Sequence, residues 1–354
     1  MMRWRIEAAN GAVEVADGRI VAPTERFDHH IVVPDGVLHP GLINAHDHLR
    51  LNHFGRFGNR HYANAYEWAA DVQVRYREAI AAGRAVPRRL ALLWGAWKNL
   101  LAGVTSVVHH DIWEPDLEQD FPLRVVRTAF ADSLGMTPNI SRPLAGPFAL
   151  HLAEGIDANA GEEVRQAAER GFLDARLLAV HMVGADKDGI ARMRTSGGAV
   201  IWCPTSNHFL FGCTAPDALL AEGMDVLLGT DSLLTGHGDL LDELRVARGG
   251  ALSDERLEKA VGDVAAARLS LDPPSLLPGG RADLIVLRRP LLAAGAADTA
   301  LVMAQGELRV LDPALLPCSG VRGGQFLQRD GFVRWISESA TLPVPGLVAG
   351  CHRA

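Results

Sequence analysis

Lysine and cysteine are scarce in this 354-residue chain, with three and four copies. The cysteines (Cys203, Cys213, Cys318 and Cys351) are scattered without C-x-x-C spacing. That excludes a disulfide framework or a thiolate metal cluster, and they read as reduced thiols. No uncharged run of about twenty apolar residues occurs, so no segment reads as a membrane span. The opening residues Met1 to Glu7 lack the apolar core of a signal peptide, and the cytoplasm is the expected compartment. A formal charge of −7 offers no basic footprint, which argues against nucleic acid as a partner. Low-complexity tracts and solenoid periods are also missing. What is present is ordinary for a globular protein, 48% hydrophobic and 22% charged. The length exceeds the single-domain mode, so one large α/β barrel or two domains is the natural expectation.

Both ends of the chain read as β-structure. Gly11 to Ala16 meets Asp17-Gly18, a hairpin turn signal, and Arg19 to Ala22 follows. Residues 1–37 are too few to bury a core alone. Near the other end, Ala282 to Leu287 follows Gly279-Gly280-Arg281 as a compact β-branched strand. Ala300 to Met303 and Leu308 to Leu311 form a further pair across Gln305-Gly306. The ends are therefore expected to build one small composite β-sandwich domain from residues 1–37 and 279–354. Between them, Leu90, Leu93, Trp94, Trp97, Leu100 and Leu101 recur at helical spacing over Arg88 to Ala102, and Gly103 stops the helix. A second helix reads from Val164 to Arg170, closed by Gly171. Buried strands read at Val104–Val108, Leu177–His181, Ala199–Cys203 and Met224–Asp231. Strands alternating with crossover helices over about 240 residues predict a (β/α)8 barrel across 38–278.

Polar residues stand where these apolar runs end. His46 and His48 are two apart, and in an extended strand such side chains share a face and can aim at one point. His109-His110-Asp111, His151 with Glu154, His181, and Asp231 follow later runs. In a barrel, the carboxyl ends of the strands form the active-site face. Nitrogen and oxygen donors without thiolate suit zinc or another divalent first-row metal, with a position open to water. Strand alternation lets only one of His109 and His110 face the interior. The loop carrying Arg50, His53, Arg56, Arg60, His61 and Tyr62 has two readings. It is a lid offering donors to an anionic or hydroxyl-rich substrate, or a solvated basic loop. Asp239, Asp242 and Glu243 read as an acidic cluster at a helix N-terminus, without catalysis.

At these residues the chain resembles the amidohydrolase superfamily, in its cytosine-deaminase and chlorohydrolase-like branch. The matching pieces are Pro40-Gly41-Leu42-Ile43-Asn44-Ala45-His46-Asp47-His48, His151-Leu152-Ala153-Glu154, Ala179-Val180-His181, Cys203-Pro204-Thr205-Ser206-Asn207 and Leu228-Gly229-Thr230-Asp231-Ser232. Gly279 to Leu287 resembles the returning β-strand of that family. The resemblance implies a metal-bearing barrel beside the composite β-domain. It implies His46, His48, His151 and Asp231 as ligands of one divalent ion, Zn2+ first, with Fe2+ or Mn2+ as alternatives. No lysine follows His48 at a spacing for a carbamylated bridge, which favours a single metal.

The resemblance also makes Glu154 the proton shuttle and His181 the group that orients the attacking water or polarises the substrate, as a neutral imidazole. Metal binding brings a water's pKa from about 16 to about 7, and Asp231 is placed to accept that proton. Candidate substrate contacts are Arg50, His53, His109, His110, Asn207, His208 and His237. The expected reaction is hydrolytic deamination of an aminated heterocycle, so the enzyme would act on carbon–nitrogen bonds other than peptide bonds. The alternatives are cyclic-amide (imidazolone-like) or chlorohydrolase-type hydrolysis, and a catalytically silent metal-binding barrel. The expected partner is a small heterocyclic molecule, neither nucleic acid nor membrane, and a homo-oligomer is left open.

Overall fold

In the computed structural model, the described residues are 2–118, 120–137, 139–141, 143–337 and the strand 351–353. The first strands, β1 (Arg3–Ala8), β2 (Gly11–Ala16), β3 (Arg19–Val21) and β4 (His29–Val33), form one sheet in the order β3-β2-β1-β4. The hairpin between β2 and β3 is where the sequence places it. Asp17 (φ 50°) and Gly18 (φ 72°) supply the two left-handed residues that a two-residue hairpin needs. Trp4, Ile6 and Ala8 alternate inward from β1, and they pack with Leu284, Val286, Leu301 and Met303 from the far end of the chain.

β5 (Val37–Pro40) leaves that sheet and pairs antiparallel with a strand near residue 285. His39 and Pro40 read from sequence as the lead-in to the histidine strand, yet their backbone belongs to the C-terminal sheet. β6 (Leu42–Asp47) follows after one residue and runs parallel with β7 (Val104–His109) and β8 (Arg124–Val126). A second parallel sheet contains β9 (Ala129–Ala131), β10 (Phe148–Leu152), β11 (Leu177–His181), β12 (Ala199–Trp202) and β13 (Val226–Leu228) in sequence order. Every residue of β6 and β7 is buried, as expected of strands covered on both faces. A parallel bridge links Asp47 to Asp231, so the end of β6 meets the chain leaving β13. Gly229 makes that approach possible, because a Cβ there would lie 2.6 Å from the His46 Cβ.

The helices between β6 and β7 are α1 (Ala65–Arg75), α2 (Arg77–Arg84) and α3 (Arg88–Leu101). Beyond β10 come α4 (Ala158–Glu169), α5 (Lys187–Ser196), α6 (Pro204–Phe211), α7 (Asp217–Leu220) and α8 (Leu240–Ala247). α3 matches its predicted span, and Gly103 (φ 78°) ends it. α4 begins six residues before its predicted start, capped by Asp157, whose side chain accepts from Ala160 N. Its first turn, Ala158-Asn159-Ala160-Gly161, has no apolar period to read. α2 buries no residue, so no apolar face announces it. β13 stops at Leu228, shorter than predicted, because Asp231 turns into the left-handed region (φ 55°).

The C-terminal strands are β14 (Leu284–Leu287), β15 (Thr299–Ala304), β16 (Glu307–Leu311), β17 (Gln325–Arg329), β18 (Phe332–Ile336) and β19 (Cys351–Arg353). With β5 they form a sheet of order β19-β17-β18-β16-β15-β14-β5. The chain is thus α/β, with two parallel sheets and two largely antiparallel ones. No helix among the described residues is long and apolar enough to cross a membrane.

Candidate metal and active site

Three imidazoles converge where β6 and β10 end. One ring nitrogen from each of His46, His48 and His151 lies within 4.8 Å of the others. His46 meets His48 at 90° and His151 at 82°, edge-on geometry that points nitrogens inward. His151 Nε2 lies 3.3 Å from His46 Nε2. Asp231 Oδ1 stands 3.7 Å from His46 Nε2 and 3.6 Å from His48 Nε2. Bonds of about 2.0–2.1 Å to a tetrahedral ion set its donors about 3.3–3.4 Å apart. These four atoms therefore fit a divalent metal ion.

The electrostatics point the same way. Burial above all pulls His46 down to about 4 and His151 well below the ordinary imidazole range. Both are neutral at pH 7, so each ring carries a lone pair that a cation can take. A cation satisfies such a pocket. Burial also opposes charge on His48, yet Asp111, then Asp231 and Asp47, lift it to about 9. His48 Nδ1 lies 3.2 Å from Asp111 Oδ2. At that value the metal-free ring is cationic at pH 7, and a metal ion would replace the Nε2 proton while Nδ1–H stays on Asp111, the carboxylate–histidine pairing that commonly backs a metal ligand. Asp231 stays well below the carboxylate range despite burial, because His46, His48 and His181 surround it.

Bent backbone at the strand ends aims these groups. Ala153 (φ 51°), His181 (φ 73°), Met182 (φ 54°) and Asp231 (φ 55°) are left-handed without being glycine. Such residues cost on the order of 1–3 kcal/mol each and cluster at functional sites. Hydrogen bonds hold them there. Thr230 N and Asp231 N donate to His46 O at 2.9 and 3.1 Å, and His48 N donates to Asp231 O at 3.0 Å. Ala153 N donates to Glu163 Oε2 at 2.8 Å. Ser206 Oγ (2.7 Å) and Thr235 Oγ1 (2.6 Å) both donate to Asp231 Oδ2, leaving Oδ1 to face the imidazoles.

Glu154 and His181 flank the cluster. Burial, reinforced by Asp231 and partly offset by His181, raises the Glu154 carboxyl to about 7. Its Oε1 lies 3.5 Å from His181 Nε2. On the other side of the ring, His181 Nδ1 donates to Asn207 Oδ1 at 2.8 Å, and Asn207 Nδ2 donates to Thr214 Oγ1 at 3.3 Å. A neutral His181 therefore keeps its proton on Nδ1 and offers a lone pair at Nε2. This reverses the donor sense expected of a neutral His181 from the sequence. His48, His151, Glu154, His181 and Asp231 line a cavity of about 160 Å³. A chamber of about 470 Å³ shares Leu51, Trp68 and Leu234 with it, and Phe54, Phe57, Val72 and Ile80 make its walls apolar.

The other sequence candidates are distributed around this centre. Arg50 lines the apolar chamber and pairs with Asp111 Oδ1 at 3.2 Å. His53 lines it too, with Nε2 3.1 Å from Gly83 O. His109 and His110 are both buried. His109 Nδ1 accepts from Leu49 N at 3.3 Å, whereas His110 stacks on His151 at 4.3 Å and 26°. His110, Asp132 and His151 also come within metal-ligand reach of one another. That group shares His151 with the three-histidine cluster, and its Asp132 is exposed. Asn207 holds His181, and His208 is exposed on α6, outside these cavities. His237 lines a separate cavity of about 420 Å³ with Lys98 and Arg329. The basic loop is mostly engaged with the protein itself. Arg56 lies over Phe209 at 5.1 Å, Arg60 pairs with Glu67 at 2.6 Å, and Tyr62 donates to Asp71 Oδ2 at 2.8 Å.

Two features escape the sequence reading. A buried polar network of Asn44, Asp47, Lys98, Asn99 and Thr230 lies behind the histidine strand. Its signal was the pair Lys98-Asn99 interrupting an apolar helix. Glu243 is the second. Asp239 and Asp242 do form a capping box on α8, but Glu243 is buried and accepts from Thr205 N (3.0 Å) and Thr205 Oγ1. It thereby anchors the start of α6, which carries Ser206 and Asn207.

No protein-family model matches the chain. The chain is similar to the aminodeoxyfutalosine deaminase of Deinococcus radiodurans, 43% identical over 103 residues, or 27% of this chain and 24% of that protein. It is 33% identical over 274 residues to an aminohydrolase of Methanothermobacter thermautotrophicus, covering 68% of this chain and 65% of the relative. It is 25% identical over 349 residues to a 5-methylthioadenosine/S-adenosylhomocysteine deaminase of Saccharophagus degradans, 78% of each. The chain thus spans less than two thirds of the length of the first two. Two solved structures share the fold. One is an adenosine deaminase from Xanthomonas campestris with bound zinc (TM-score 0.64, 20% identity, 89% of this chain and 94% of that one). The other is a triazine hydrolase (TM-score 0.68, 18% identity, 87% and 94%). Relatives, fold and metal-fitting cluster are all similar to those of the amidohydrolase superfamily, in its deaminase and chlorohydrolase-like branch.

Proposed function

We propose that this protein hydrolyses an aminated heterocycle to its oxo form, with water as co-substrate and ammonia as leaving group. The observation that carries this reading is the four-donor cluster, three of whose members (His48, His151 and Asp231) line one cavity with Glu154, a buried carboxyl with a pKa of about 7. His46, His48, His151 and Asp231 would hold one divalent ion, and zinc is the ion we favour. Such an ion supplies the Lewis acidity that lets water ionise near neutral pH. Asp231 Oδ1, clear of the hydroxyls on Oδ2, is the oxygen placed to take a proton from water. Neutral Glu154 donates a proton to a ring nitrogen. Once ionised, it takes the proton of the added hydroxyl and delivers it to the departing amine, which leaves as ammonia, and the proton held by Asp231 returns Glu154 to its neutral form. His181, its Nδ1–H held by Asn207, accepts at Nε2 and keeps the Glu154 proton in line.

The relatives named as deaminases make an aminated purine nucleoside or close analogue the substrate class we favour. The apolar chamber gives such a molecule room for a second arm, and Arg50 and Arg84 on its wall suit an anionic or hydroxyl-rich end. We read the eight strands β6 to β13 as a (β/α)8 barrel, supported by the Asp47–Asp231 bridge from the end of β6 to the chain leaving β13. Residues 1–37 and 279–354, of which 338–350 and 354 lie outside the described residues, are read as one β-sandwich around the cluster that both contribute to, with β5 at the edge of the C-terminal sheet. A small-molecule partner and a cytoplasmic setting complete the reading. The test combines elemental analysis with an ammonia-release screen over aminated purines, run beside ring-opening and chloride-release assays. Ammonia release that a chelator abolishes and zinc restores is the expected result. Ring opening or chloride release without ammonia overturns deamination, and a folded protein that takes up no metal overturns the metal centre.

A further inference from the structure

A buried lysine stands behind the histidine strand. Lys98 Nζ lies 2.9 Å from Asp47 Oδ2, with the two side chains 5% and 0% exposed. Asp47 sits between His46 and His48, and strand alternation turns it away from both. Its Oδ1 accepts from Asn52 Nδ2 (2.7 Å). Its Oδ2 accepts from Asn99 Nδ2 (2.8 Å) and Thr230 Oγ1 (3.0 Å) as well as Lys98. The Thr230 hydroxyl in turn accepts from Lys98 Nζ (3.0 Å) and Asn44 Nδ2 (2.8 Å). One ammonium thus touches the residue flanked by two candidate ligands and the residue preceding a third, Asp231.

We propose that Lys98 is a positioning residue for the metal centre. Its ion pair with Asp47 and its bond to Thr230 clamp the ends of β6 and β13, so that His46, His48 and Asp231 converge on one point. The proposal rests on the metal reading above. The packing of α3 serves this contact. Gly95 lets the helix lie against the segment after His48, where a Cβ would meet Leu49 O at 2.5 Å, and that brings Lys98 and Asn99 under Asp47. Amides and a hydroxyl can solvate a buried carboxylate, but only a cation neutralises it, and an unpaired buried charge reorganises its surroundings. Here those surroundings are the ligand-bearing strand ends. Partners that orient metal ligands typically change metal affinity by about 10–100-fold when lost.

The test is a double-mutant cycle of Lys98→Met, Asp47→Asn and both together. Zinc affinity is read by competition with a chelator, and circular dichroism confirms the fold. Each single change is expected to weaken zinc binding by about 10–100-fold. The double variant should bind no worse than the weaker single one, because both changes break the same clamp. Variants that hold zinc as tightly as the parent, whatever their loss of Tm, overturn the proposal and leave Lys98 as fold support. If Lys98→Met does not fold, Asp47→Asn and the double variant decide, and parent-like zinc affinity in either overturns it. A folded parent that takes up no zinc overturns the metal reading instead, so the two failures are distinct.

Discussion

Glu154 Oε1 stands 3.5 Å from His181 Nε2, while the opposite nitrogen of the same ring donates to Asn207 Oδ1 at 2.8 Å. Glu154 follows β10, His181 ends β11 and Asn207 follows β12, so neighbouring strand ends line up one proton path beside the imidazole cluster. A ring locked in this tautomer accepts from Glu154 when neutral, and the pair shares a single proton. Acid–base work near pH 7 needs a carboxyl that is protonated for part of the time. Burial raises Glu154 to about 7 and meets that need.

Glu154→Gln should keep the metal and lose turnover. The amide preserves shape but cannot relay a proton, so kcat for ammonia release should fall by at least about 10²-fold. Metal content and kcat are measured on one preparation. Turnover close to the parent's would reduce Glu154 to a structural acid preceding α4.

His181→Ala should leave metal content nearly intact and cut kcat by about two orders of magnitude, the worth of one well-aimed group at the reacting centre. Asn207→Leu releases the Nδ1 proton and should give a smaller loss, about tenfold, again with metal retained. If His181→Ala instead loses metal, and excess zinc restores its activity, then His181 is a ligand.

The strand ends were legible because each places a polar group directly after an apolar run. β11 ends at His181 as the sequence reads it, and His46, His48, His151 and Asp231 follow the same logic. Short or evenly polar pieces were not legible. β8 and β9 have three residues each, and the first turn of α4 carries no apolar stripe. The burial of Lys98 and Asn99 was not legible for a different reason. Two polar residues on a helix read locally as its wet face, and only the tertiary contact with Asp47 shows that they are buried. Glu243 likewise reads as a dipole-stabilised acid of a helix start, and its partner Thr205 lies 38 residues away.

The apolar chamber makes a prediction about substrate size. Val72 on α1 is buried in its wall. Val72→Phe should fill part of that space and raise KM for substrates with a bulky apolar arm by about tenfold, a penalty typical of overpacking. A free aminated base, which has no arm, should be turned over with unchanged kcat/KM. Equal losses on both substrates would show that the chamber is not part of the binding site.

Glu243 predicts how stability depends on pH. Its carboxyl lies among buried groups at the junction of α6 and α8, and burial raises it from 4.5 to about 8, against the two bonds from Thr205. In the neutral form it donates to Thr205 Oγ1, reversing the sense of that bond. Below about pH 4.5 the group is protonated whether the chain is folded or not, and it makes no pH-dependent contribution. Between about 4.5 and about 8 the unfolded chain releases the proton and the folded chain retains it, so rising pH favours unfolding. Above about 8 both states are ionised, and the full penalty is present. The parent should therefore lose stability relative to Glu243→Gln as pH rises through this window, by an amount on the order of a few kcal/mol. Denaturant unfolding of both proteins at matched, saturating zinc, every half unit from pH 4 to about 9, measures that difference. A difference that stays flat, or that shifts in the parent's favour as pH rises, would mean that Glu243 is already ionised in the folded protein and held by Thr205 as an anion at the start of α6.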